Sequence, residues 1–96
     1  MSDRVLFQLS EESLPVPVDQ AGRLVLKLRP VPGALSARAK IDRALSTRVA
    51  AVSFDRSEKA ALLDALNRWL DDGGYGELGP DLVDLRGALE YDLGVG

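Results

Sequence analysis

Ninety-six residues, 46% apolar and 28% charged with a net charge of −3, suit one folded domain with a single core rather than a disordered tail. Cysteine and histidine are both absent, which excludes disulfides, thiolate metal sites, cysteine nucleophiles and the usual zinc ligands, and leaves any catalysis to carboxylates, Ser, Tyr, Lys or Arg. No window of about 20 apolar residues occurs, and no basic start leads into an apolar run, so the expectation is a cytoplasmic protein without a membrane span.

Residues 4 to 9, RVLFQL, alternate with Val5, Phe7 and Leu9 on one face, the two-residue period of a half-buried strand. Leu14, Val16 and Val18 alternate with Pro15 and Pro17. Two prolines spaced by two lack N–H groups on the same side of an extended chain, so 14–18 is predicted as an edge strand. RLVLKLR then sets Leu24, Leu26 and Leu28 opposite Arg23, Lys27 and Arg29, which predicts a strand over 23–29. A three-residue loop, Gln20 to Gly22 with Gly22 left-handed, would place Val18 opposite Leu24, Val16 opposite Leu26 and Leu14 opposite Leu28.

After PVPG, the segment 34–46 has helix formers and an apolar stripe through Leu35, Ala37, Ile41, Ala44 and Leu45, the pattern of a helix. Residues 48–54 carry the β-branched and aromatic content of a short buried strand, although the two alanines also suit a continued helix. Asp55 followed by Glu58 forms a capping-box pattern before a helix at 56–71, whose apolar positions are Leu62, Leu63, Leu66, Trp69 and Leu70. Gly73 and Gly74 stop it. A second helix opens at Pro80 and runs to 93, with Leu82, Leu85, Leu89 and Leu93 as its buried stripe and Gly94 closing it. The predicted fold is a single α+β domain over 1–96, a small antiparallel sheet covered by the two C-terminal helices.

GYGELG, residues 74–79, spells G-x-G-x-x-G, yet a dinucleotide fingerprint needs a strand before it and a carboxylate about 20 residues after it. Here a helix precedes the glycines and only 17 residues follow. Asp71, Asp72 and Glu77 would also repel a phosphate, so no nucleotide is expected. A calcium loop fails as well: counting from Asp71, the alternate positions are Gly73 and Tyr75 and the twelfth is Leu82. Asp64, Asp81 and Asp84 fall on solvent faces without a specified pairing, and Ser53 and Ser57 have no base partner in sequence. No catalytic, metal or cofactor residue is therefore assigned.

Charge is uneven along the chain. Arg23 to Arg48 holds seven basic residues against Asp42 alone, and Asp55 to Asp92 holds ten carboxylates against four basic residues. Two consequences stay open: the halves neutralise each other inside one fold, or they steer a charged partner or a second copy. The candidate partner-binding residues are Arg23, Lys27, Arg29, Arg38, Lys40 and Arg43, together with Tyr75, an aromatic in a glycine-rich loop, and Trp69, which its helical spacing otherwise assigns to the core.

VDQAGRLVL, residues 18–26, resembles the β-turn signature of the swapped-hairpin DNA-binding family of AbrB and MazE type, through Asp19, Gly22, Arg23 and Leu24. Lys27 stands where that family usually has a proline, and the Arg-bearing helix that follows there is missing here. The resemblance spans nine of the 96 residues. It would imply Arg23, Lys27 and Arg29 on phosphates and an obligatory swapped dimer. From the residues themselves the expectation is a small intracellular interaction or regulatory module without catalytic activity, acting through its surface, with homodimerisation an open option. The alternative is a nucleic-acid-binding regulator that uses 23–48.

Overall fold

The computed structural model describes residues 4–9, 13–47, 51–76 and 79–94. Strands β1 (Arg4–Gln8), β2 (Ser13–Pro17) and β3 (Ala51–Ser53) form a sheet of order β2-β1-β3. Helices α1 (Val18–Leu28), α2 (Leu35–Thr47), α3 (Arg56–Asp72) and α4 (Gly79–Leu93) complete the α+β fold. The sheet is mixed rather than antiparallel throughout, because β1 pairs β2 antiparallel and β3 parallel. Within 48–54 the strand is realised at 51–53, and 48–50 lie outside the described residues.

The alternation in the first strand works as expected. Val5 and Phe7 are buried, Leu6 faces outward, and the register sets Val5 opposite Val16 and Phe7 opposite Leu14. β2 is an edge strand, as its prolines require.

The predicted strand at 23–29 is wrong: Val18–Leu28 is a helix, and the hairpin is made by β1 and β2 instead. Pro15 and Pro17 leave β2 one side able to donate to a ladder, and β1 occupies the place beside it, so 23–29 has no edge to pair with. Alternating leucines over so short a run also satisfy a helical stripe. Gln20, Ala21, Leu24 and Leu28 are buried at helical spacing, while Leu26 is 57% exposed. Gly22 lies inside the helix and not in a left-handed turn. Asp19 in the first turn and Lys27 in the last complement the helix dipole. The AbrB/MazE resemblance required a β-turn at these residues and lapses with it.

The remaining helices follow their expected bounds within a residue or two. In α2, Ala37, Ile41 and Ala44 are buried, but Leu35 is 70% exposed, contrary to its place in the expected stripe. Asp55 caps α3 with both arms of the capping box, and Gly73 ends it with φ 78° while donating its N–H to the Trp69 carbonyl at 3.0 Å. Gly94, φ 73°, follows α4. The core gathers Val5, Phe7, Leu24, Ile41, Leu62, Leu66, Trp69, Leu82 and Leu89 between the sheet and the helices, and Phe7 and Phe54 meet edge to face at 5.2 Å. α3 is the central helix, packing against α1, α2 and α4.

Candidate functional site

The predicted partner-binding residues separate into three groups. Trp69 is buried in the core, with the Lys27 ammonium 5.7 Å from its ring centroid, so it offers no surface anchor. Tyr75 is also not the exposed aromatic expected. It is half-buried against the core, and its ring lies 3.0 Å from where a Cβ on Gly79 would stand, which fits a glycine at the start of α4. Within GYGELG, Gly74 and Gly76 take positive φ in the link after the Gly73 stop and Gly79 allows a tightly packed restart; Glu77 and Leu78 fall outside the described residues.

Lys40 is committed inside the fold. Its Nζ donates to Glu58 Oε1 at 2.6 Å and to the Ser53 carbonyl at 3.1 Å, and lies 6.0 Å from the Phe54 ring centroid. Ser36, one turn earlier on α2, donates its hydroxyl to Glu58 Oε2. The Asp55 N–H donates to Glu58 Oε1 at 2.8 Å, and the Glu58 N–H donates to Asp55 Oδ1 at 2.8 Å. One buried carboxylate therefore ties α2, the end of β3 and the start of α3 together. Burial alone would push the Glu58 carboxyl up, but the hydrogen bonds from Lys40, Ser36 and the Asp55 amide outweigh it and hold the group below its usual range. A serine, a lysine and a carboxylate in contact resemble catalytic parts. A carboxylate held low and already saturated with donors is a poor base for the Ser36 hydroxyl. The capping-box spacing announced the Glu58 bond to Asp55; its partners on α2, 18 and 22 residues away, had no local signal.

Arg29 and Arg38 come together. They line a groove of about 560 Å³ between α1 and α2 with Val25, Leu35, Ala39 and Asp42. Helical spacing accounts for it. Arg29, the C-cap of α1, follows Val25 by one turn, and Leu35, Arg38, Ala39 and Asp42 share one face of α2 opposite the buried Ala37, Ile41 and Ala44. A short connection through Gly33, φ 76°, turns the chain between the helices; within it Val31 donates to the Leu28 carbonyl at 3.1 Å and Ala34 to the Val31 carbonyl at 3.3 Å. Arg23 and Arg43 are exposed and do not line the groove. Among the described residues, neither Arg29 nor Arg38 has an ion-pair partner.

The carboxylates of the C-terminal half are dispersed. Asp64 pairs with Arg68 at 3.4 Å on α3, and Asp92 with Lys59 at 2.9 Å between α4 and α3. Arg56 adds a bond from Nη2 to the Leu93 carbonyl at 2.9 Å, which fixes the end of α4 beside the start of α3. Among the described residues no three carboxylates come close enough to hold a metal ion, and no helix is long and apolar enough to cross a membrane. No family model, curated protein or solved structure matches this chain.

Proposed function

We propose that this chain is a non-catalytic intracellular interaction module whose binding surface is the α1–α2 groove. The observation that carries this reading is the juxtaposition of Arg29 and Arg38 with an apolar floor of Val25 and Ala39, beside Leu35, which leaves 70% of its surface in water. Arginine is enriched among the residues that anchor protein–protein interfaces, and here the guanidinium supplies directed hydrogen bonds while the neighbouring exposed leucine supplies apolar area. Burying Leu35 against a partner is worth about 2 kcal/mol.

Two lines of support weigh against nucleic acid. Lys40 is neutralised by Glu58, and Lys27 is drawn toward the Trp69 ring at 5.7 Å, so fewer of the basic side chains are free to reach phosphates. The aromatic residues near them, Trp69 and Phe54, are buried and present no ring for base stacking.

The test compares proteins retained from nuclease-treated lysate by the wild-type chain, by Leu35→Asp/Arg38→Glu, and by Ser57→Glu on the far face of α3. Retention lost in the groove variant and kept in the α3 variant is the expected result. Equal retention by all three, or a labelled duplex shifted with steep salt dependence, would overturn the reading.

A further inference from the structure

Taking the α1–α2 groove as a binding surface, we propose that its occupant is the outward face of α4 in a second copy of this chain. Val83, Gly87 and Tyr91 stand one turn apart on that face, with Val83 45% and Tyr91 68% exposed. Asp84 and Glu90 flank the stripe, and among the described residues neither has an ion-pair partner. Arg86 points elsewhere, lining a cleft with Asn67 and Asp71 beside α3. The α4 face is therefore an apolar stripe between two carboxylates, and the groove is an apolar floor carrying two arginines without an ion-pair partner among the described residues and one carboxylate, Asp42, so its balance of charge stays positive. Leu26, 57% exposed on α1, extends the apolar area next to the groove.

The two surfaces cannot satisfy each other within one molecule. α4 packs on α3 and makes at most marginal contact with α1 or α2, so the central helix separates its outward face from the groove. A second copy removes that obstacle. Gly87 fits the same picture. A Cβ there would meet nothing within 4 Å, so the fold itself does not ask for a glycine in mid-helix. Relative to alanine it costs about 1 kcal/mol, and what it permits is close approach of another backbone.

A groove meeting a different surface is a heterologous contact, so copies add head to tail rather than closing as a symmetric pair. One helix face covers less than the roughly 800 Å² per partner of a standard stable interface, so the association is expected to be weak and concentration-dependent.

Sedimentation velocity from about 10 μM to about 1 mM reads this directly. The wild-type chain should sediment faster as concentration rises, and less so as salt increases. Arg29→Glu/Arg38→Glu and Asp84→Lys/Glu90→Lys should each weaken association at least tenfold. An equimolar mixture of the two should regain chain growth, since the intact groove of one meets the intact α4 face of the other and the two reversed faces are complementary in turn, and the variant carrying all four reversals should regain it alone. Trp69 fluorescence reports that each variant is folded. A wild-type chain monomeric over the whole range, association unchanged in either double variant, or a mixture that stays monomeric would overturn the proposal. If the wild type is monomeric while Leu35→Asp/Arg38→Glu still abolishes capture of another protein, the second copy is refuted as occupant and the groove stands.

Discussion

Replacing Lys40 by methionine strands the Glu58 carboxylate. Glu58 is buried, whereas 43% of the Lys40 side chain is in water, so the two partners of this pair respond differently to loss of the other. Without Glu58, Lys40 turns outward and is solvated; without Lys40, Glu58 stays in place with only the Ser36 hydroxyl and the Asp55 amide. Removing one member of a fully buried pair costs about 3–5 kcal/mol, and the partial exposure here with two surviving hydrogen bonds reduces that to about 2 kcal/mol for Lys40→Met at pH 7. Glu58→Gln keeps an acceptor for the Asp55 amide and is expected to cost about 1 kcal/mol. The double variant should fall short of the sum of the single costs by about 1 kcal/mol or more. The wild-type carboxyl is held below its usual 4.5, so its contribution is complete above that pH and is lost as pH falls through the lower folded-state value. In Lys40→Met the largest opposing influence on burial is gone and the carboxyl moves upward, so the deficit relative to wild type should shrink from pH 7 toward pH 4. Urea unfolding followed through Trp69, the single tryptophan, measures all four proteins. A Lys40→Met cost below about 0.5 kcal/mol at pH 7, the range of an exposed ion pair, or a deficit independent of pH, would refute the reasoning.

Two glycine substitutions probe the backbone by melting temperature. Gly22→Ala should stabilise by about 0.5–1 kcal/mol, because the site is inside α1 with nothing within 4 Å of the new Cβ; in a left-handed hairpin turn the same change would cost about 1–2 kcal/mol. Gly73→Ala should destabilise by about 1–2 kcal/mol, since φ 78° and ψ −157° form a conformation that only glycine adopts readily.

The C-terminal half was legible because its signals agree. Capping box, apolar stripe and terminal glycine point to one helix at 56–72, and proline, leucine spacing and glycine to another at 79–93. In Val18–Leu28 they conflict. Leucines at every second position read as a strand; Gln20, Ala21, Leu24 and Leu28 read as a helix face, and only the pairing options of β2 decide between them. The prolines that made β2 an edge strand also held that decision, because a strand that can be paired on one side serves β1 or 23–29 but not both. Leu35 misled for a different reason. It stands two residues before Ala37, about 200° round α2, which puts it with Arg38, Ala39 and Asp42 on the face opposite the buried Ala37, Ile41 and Ala44, so the helical period itself excludes it from the stripe.

Charge asymmetry along the chain had two physical outcomes, and the folded arrangement distinguishes them residue by residue. Lys40 to Glu58 joins the basic segment to the acidic one; Lys59 to Asp92 and Arg68 to Asp64 lie wholly within the acidic half. Among the ion pairs of the described residues, Lys40 to Glu58 is thus where the two segments meet. Arg29 and Arg38 on the α1–α2 side, and Asp84 and Glu90 on the α4 side, remain unpaired among the described residues with α3 between them. Exposed charges farther apart than a Debye length, about 8 Å at physiological salt, scarcely stabilise one another, so their placement contributes little to folding. In the proposed association it would act on approach, because two copies oriented groove to α4 would attract and two oriented groove to groove would repel. The same separation that leaves these charges idle within a monomer gives the surface a direction.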